Sequence, residues 1–260
     1  MAEETGVWSV RRALLLLAIL NQAYARYKRP QDPIVMPTGY RLAAALAGKA
    51  YAGVPAALGF LAESDRDAVL AFRGTIRTDE WMSDAVIRQI PCPFAPRMGW
   101  THEGFTRVYD SLRGKMAEAL EAVAPAKTLY IAGHSLGGAL AVLAAADLAF
   151  AGRRRPVVYT FGAPRVGDPR FACRFGRLVP ASHRVANPHD FVTRLPPPVF
   201  RSPVTNAFSF YRHVPGLVRV EFRSGHGYDN HALRGYFHAL ARRDPAWAAS
   251  LGVKFDAGED

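Results

Sequence analysis

The chain opens on a helical pattern. Apolar residues dominate 7–26 and peak in ALLLLAIL, until polar Asn21-Gln22 interrupt after eight residues. Arg11-Arg12 ahead of this run and Ala23-Tyr24-Ala25 behind it imitate a signal peptide or anchor. Glu3 and Glu4 offset the two arginines and the run is short, which favours a buried first helix. Pro30, Pro33 and Pro37 make a stiff connector, so 1–38 reads as a leading segment and 39–260 as the body. Leu42, Ala45, Leu46 and Lys49 then stand at helical spacing and predict a second helix over 39–51.

Beyond residue 51 the pattern alternates. Short apolar runs at 58–62 and 68–72, split by the polar turn ESDRD, predict a β-hairpin. Val108, Leu112, Met116 and Leu120 share one face of a helix over 105–123. Residues 129–132 predict a buried strand, 140–150 an Ala- and Leu-rich helix, and 157–161 a second buried strand. Weaker strands follow at 183–186 and 217–222, with a closing helix at 232–242. Apolar strands alternating with helices predict an α/β sheet covered on both faces, in one domain.

Composition narrows the class. Half of the 260 residues are hydrophobic and 21% charged, which excludes a disordered chain. No apolar run approaches the roughly 20 residues a spanning helix needs. Two cysteines, Cys92 and Cys173, are too few for a disulfide scaffold or a zinc site; they fit one disulfide or two free thiols. The formal charge of +11 comes from 28 Arg and five Lys against 22 acidic residues. By itself it permits nucleic acid, an anionic membrane or an acidic substrate.

The candidate chemistry lies at 129–140, LYIAGHSLGGAL. It sets G-x-S-x-G between a buried strand and an apolar helix, the context in which the motif forms a nucleophile elbow at Ser135. The turn is so tight that Gly133 and Gly137 must lack side chains. The N–H of Leu136, at the helix start, is placed to hold a developing oxyanion. A nucleophilic serine needs a base, and the base an orienting acid. Asp147, Asp168, Asp190 and Asp229 follow Ser135, and spacing does not separate Asp168 from Asp190. Among the later histidines, His226 and His231 sit best, on a loop before the closing helix.

Six ordered blocks between about residues 39 and 240 then carry a resemblance. They are AFRGT at 71–75, HEGF at 102–105, AGHSLGGALA at 132–141, TFGAPRVGD at 160–168, RVANPHDFVTRLPP at 184–197 and HALRGYFHAL at 231–240. Together they resemble the class 3, fungal-type lipases. The resemblance implies an α/β-hydrolase variant with a mixed, mostly antiparallel central sheet flanked by helices. It implies hydrolysis of acylglycerols or related lipid esters, with phospholipase A1 or short-chain carboxylesterase activity as the alternative and a non-catalytic binding protein as a rival.

Carried over residue by residue, Ser135 resembles the nucleophile, Asp190 the triad acid and His231 the base, five residues before Tyr236. His226 is the runner-up base. Thr75 and Leu136 stand for the oxyanion hole, and Trp81 and His134 for the lid or substrate cleft, the lid falling within 76–100. Asp84, Asp168, His102 and His213 match structural positions. No metal or organic cofactor and no nucleic-acid partner is implied. The arginine excess then reads as a means of peripheral contact with anionic lipid. A cytoplasmic or peripheral-membrane location is favoured over secretion.

Overall fold

A computed structural model describes residues 6–50, 53–75, 87–203, 205–225 and 228–255. The first helix, α1 (Val10–Lys28), starts where Ser9 accepts a hydrogen bond from the Arg12 N–H. Leu14, Leu17, Leu20 and Tyr24 form a buried stripe along it, as its apolar periodicity predicts.

The expected second helix is a strand. β1 (Arg41–Lys49) pairs antiparallel with β2 (Pro55–Glu63), from Arg41 opposite Glu63 to Lys49 opposite Pro55. Its register slips between Leu42 and Ala44 and again between Leu46 and Ala47. The first slip sets an extra residue, Ala43, in β1, and the second sets one, Leu58, in β2. The extra residue breaks the two-residue alternation of β1, and Leu42, Ala45, Leu46 and Lys49 stand three and four apart, the spacing of a helix. Pairing with β2 then overrides the helix preference of a run holding five alanines between 43 and 50.

The hairpin from β2 into β3 (Asp67–Phe72) forms as expected. A two-stranded ribbon, β4 (Gln89–Pro91) and β5 (Trp100–His102), precedes α2 (Glu103–Glu121). There follow β6 (Thr128–His134), α3 (Leu136–Phe150), β7 (Val157–Phe161), α4 (Pro169–Leu178) and β8 (Ser182–Ala186). A second small hairpin pairs β9 (Val199–Arg201) with β10 (Phe208–Phe210). β11 (Leu217–Arg219), α5 (Leu233–Ala241) and α6 (Pro245–Ser250) close the chain.

Seven strands make the central sheet in the order β1-β2-β3-β6-β7-β8-β11. The sheet is mixed, as the resemblance implies, but its antiparallel part is confined to the β1-β2-β3 end. The β3-β6, β6-β7, β7-β8 and β8-β11 pairs are all parallel. The connections explain this: only the first three strands are joined by tight turns, whereas β6, β7 and β8 follow one another through helices.

Alternation along the central strands divides the core in two. Ala68, Leu70, Phe72, Leu129 and Ile131 pack with α2 and α3, whereas Val69, Ala71, Tyr130 and Ala132 pack with α1 and α5. α3 is buried nearly all round, and its run of small residues lets it lie close to the sheet. Cys92 is buried and Cys173 exposed, and both are free thiols. Among the described residues, no helix is long and apolar enough to cross a membrane.

Candidate active site

The elbow forms where β6 runs into α3. Ser135 sits at φ 57° and ψ −128°, a conformation that is costly for a residue with a side chain and persists only where its surroundings enforce it. A Cβ on Gly133 would lie 2.0 Å from the Gly137 carbonyl oxygen, and one on Gly137 would lie 2.0 Å from that of Phe72. Only hydrogen fits at either place. The Ser135 N–H donates to the Phe161 carbonyl at 3.0 Å, tying the elbow to β7. The Leu136 and Gly137 N–H groups open α3 and have no acceptor within the helix.

Asp190 and His231 meet across the sheet's carboxyl end. His231 lies in a 3₁₀ turn (Tyr228–His231), and its Nδ1 stands 2.8 Å from Asp190 Oδ2. The same oxygen accepts the Tyr236 hydroxyl at 2.6 Å, and Oδ1 accepts the Val192 N–H at 2.9 Å. Three donors thus hold a carboxylate that has no exposed surface. Burial first, and then the charge of Asp190, raise the Tyr236 phenol well above its ordinary value, so it stays a donor. With Nδ1 facing a carboxylate, His231 keeps its proton there and leaves Nε2 as the basic nitrogen.

His134 is not in the cleft. It lies behind His231, stacked on its ring at a centroid distance of 4.7 Å, with both of its own nitrogens hydrogen-bonded inside the protein. Burial, and then the neighbouring His231, hold it well below its ordinary pKa, so it is neutral. Nε2 stands 2.8 Å from the His231 carbonyl oxygen, which can only accept, so the proton is on Nε2. Nδ1 must therefore accept the hydroxyl proton of Tyr24, at 2.7 Å. The Tyr24 oxygen in turn accepts the Gly74 N–H at 2.8 Å. One directed chain joins the loop before Thr75, helix α1 and the backbone of His231. The apolar stripe of α1 places Tyr24 inside, where a phenol needs a partner, but nothing in the sequence names that partner.

Arg73 braces the same loop. Its side chain donates to the Ala57 and Gly74 carbonyls, each at 2.6 Å, and its guanidinium lies 3.6 Å from the centre of the Tyr27 ring. Three buried polar atoms are left without a hydrogen-bond partner around the elbow: Thr75 Oγ1, Ser135 Oγ and His231 Nε2. Catalytic hydrogen bonds are commonly unmade until substrate is bound.

Three residues expected to be structural, Asp168, His102 and His213, each hold a hydrogen bond within the fold. Asp168 caps α4, accepting the Phe171 N–H at 2.6 Å, and His102 caps α2. His213 Nε2 donates to the Thr193 carbonyl at 2.7 Å. Asp147 is buried and paired with Arg113 at 2.6 Å and with the Tyr109 hydroxyl at 2.7 Å. Trp81, Asp84 and His226 lie outside the described residues. Among those described, no cluster of three His, Cys, Asp or Glu could hold a metal ion.

Comparison with known proteins follows the same lines. The family model for "Lipase (class 3)" matches residues 69–200. The chain is similar to the chloroplastic/mitochondrial phospholipase A1 EG1 of Oryza sativa subsp. indica, 32% identical over 222 residues, covering 71% of this chain and 51% of that protein. It is also similar to the secreted mono- and diacylglycerol lipase 1 of Fusarium solani, 34% identical over 138 residues, covering 52% of this chain and 41% of that protein. The chain therefore spans about half the length of the curated relatives it matches. Among solved structures, lipase II from Rhizopus niveus shares the fold, with a TM-score of 0.66 at 23% identity, over 83% of this chain and 81% of that one.

Three histidines fix a pH dependence. Burial lowers His102 to about 4 and His213 to about 3, and His134 is lowered in the same direction. Each is neutral when folded and binds a proton near 6.5 when unfolded. Their contribution is thus complete above about pH 6.5 and is lost as pH falls towards the folded values, by about 1.4 kcal/mol per pH unit for each. Urea midpoints should fall steeply between pH 6.5 and 4. His102→Asn, which can still cap α2, should make that fall shallower; an unchanged slope would remove His102 from the set.

Proposed function

The chain belongs to the class 3 lipase family, and from that premise we propose that it hydrolyses lipid carboxylic esters through an acyl-enzyme on Ser135. The observation that carries this reading is the set of unpaired atoms. Thr75 Oγ1, Ser135 Oγ and His231 Nε2 are buried without partners, whereas their neighbours Asp190, His134 and Tyr24 are fully engaged. Leaving buried polar atoms unpaired costs stability. Three of them, on the elbow and on the two loops that carry Thr75 and His231, fit a site whose partners arrive with the substrate.

In the proposed reaction His231 Nε2 takes the Ser135 hydroxyl proton as Oγ attacks the ester carbonyl. The C=O electron pair moves onto oxygen, where the Leu136 N–H and the Thr75 N–H and hydroxyl receive it. Collapse breaks the C–O bond to the alcohol, which leaves with the proton from His231. Water then repeats the sequence on the acyl-enzyme, releasing the acid and restoring Ser135. Asp190 holds the imidazole in the tautomer this needs and stabilises its cationic form. Because the Gly74 N–H is committed to Tyr24, the oxyanion falls to Thr75 and Leu136.

Acylglycerols are the leading substrates, in contact with a lipid surface that the arginine-rich chain would favour if it is anionic. A second reading, phospholipase A1, is favoured by the rice relative, which aligns over 71% of this chain. Rates on triacylglycerol emulsions, phospholipid vesicles and soluble short esters separate the two. On whichever ester is turned over, Ser135→Ala and His231→Ala should each lower kcat by roughly 10⁶-fold and Asp190→Asn by about 10⁴-fold. Full activity in Ser135→Ala would overturn the assignment.

Tyr24 acts as a positioning residue in this scheme. Tyr24→Phe removes one hydrogen bond to Gly74 and one to His134, each contributing about 1 kcal/mol. It should lower kcat by about tenfold or more with KM unchanged. A change in KM alone, or in melting temperature alone, would assign Tyr24 to substrate binding or to packing instead.

A further inference from the structure

The β9–β10 hairpin stands outside the central sheet and presents one apolar face to solvent. Its register sets Val199 opposite Phe210, Phe200 opposite Ser209 and Arg201 opposite Phe208. Residues opposed in an antiparallel pair share a face, and the side chains alternate along each strand. Val199, Arg201, Phe208 and Phe210 therefore project together, while Phe200 and Ser209 project from the other side. Phe208 is 60% exposed, Val199 53% and Phe210 51%. The two phenyl rings stack at 6.4 Å between centroids, and the Arg201 guanidinium lies 5.7 Å from the centre of the Phe208 ring. Single exposed apolar residues are ordinary; three on one face of a two-stranded ribbon form a patch that marks an interaction site.

The ribbon is held in place from behind. The Gln89 side chain accepts the Phe210 N–H at 3.3 Å and donates to the Phe210 carbonyl at 2.7 Å. The Ser209 hydroxyl donates to the Ile87 carbonyl at 3.4 Å. Eight residues, 191–198, lead from Asp190 into β9. The patch is thus tied to the loop that carries Asp190 and, through Ile87 and Gln89, to the 76–100 range in which the resemblance sets a lid.

Charge selects the occupant. From 191 to 220 there are four arginines, Arg194, Arg201, Arg212 and Arg219, and no aspartate or glutamate. A second copy of the chain would bring the same cations against this face, and three side chains are far too few for a stable dimer. An anionic lipid surface satisfies both features, since phenyl rings partition into the headgroup boundary while guanidinium groups meet phosphates. We propose that Val199, Arg201, Phe208 and Phe210 form the surface through which this protein docks on anionic lipid. The proposal rests on the lipid-ester reading above and gives it an orientation, with the acid loop on the membrane side.

The test is co-sedimentation of the full chain with phosphatidylcholine vesicles, with or without phosphatidylglycerol, alongside turnover of a soluble short-chain ester. The wild type should bind vesicles containing phosphatidylglycerol at least tenfold more tightly, and salt should weaken that binding. The double variant Phe208→Ser, Phe210→Ser should lose vesicle binding by tenfold or more while keeping its melting temperature and its turnover of the soluble ester. Arg201→Gln should reduce the preference for the anionic vesicles and leave binding to the neutral ones unchanged. Unchanged vesicle binding in the double variant overturns the proposal, as does a wild-type dimer that the double variant converts to monomer. Absent ester turnover in the wild type would count against the catalytic reading alone, because vesicle binding is measured without it.

Discussion

The close approach of three backbone segments at the end of β6 governs the rest of the molecule. The carbonyls of Phe72 and Gly137 occupy the places where side chains on Gly137 and Gly133 would stand. That contact forces the turn between strand and helix, and the turn holds Ser135 at a positive φ. It also sets the N-terminus of α3 beside the serine and the loop after β3 beside both. The strain is sustained because α3 is buried on nearly every side and cannot draw back.

Around this turn the protein spends its buried hydrogen bonds on orientation. Asp190 is fixed by three donors, and its partner His231 is fixed twice, at Nδ1 by the acid and at its own carbonyl by His134. His134 is neutral because burial keeps it so, and its tautomer then dictates the direction of the bond from Tyr24. Helix α1 is in this way part of the site as well as of the core: it contributes the phenol that reaches Gly74 and the ring beneath Arg73. A change on α1 would be felt at the loop before Thr75.

Much of this was legible in the sequence, for physical reasons that differ from place to place. The elbow was legible because a tight turn between an apolar strand and an apolar helix tolerates only glycine at fixed offsets from the serine. The central helices and strands were legible because each is buried on one face or all round. β1 was not, since an extra residue breaks its alternation, its apolar positions stand at helical spacing, and only its pairing with β2 identifies it. Spacing alone left Asp168 equal to Asp190; the structure separates their surroundings, one a helix cap and the other hydrogen-bonded to a histidine. His134 was misplaced because a residue beside a nucleophile looks like part of the cleft, whereas strand alternation turns its ring to the opposite face. Tyr24 was silent because its partners come from residues 50 and 110 positions away.

The most direct measurement is covalent labelling with a fluorophosphonate ester, followed by peptide mass spectrometry. One adduct is expected, on Ser135, forming orders of magnitude more slowly in His231→Ala. An adduct on another residue, or equal labelling rates in the two proteins, would contradict a serine activated by His231.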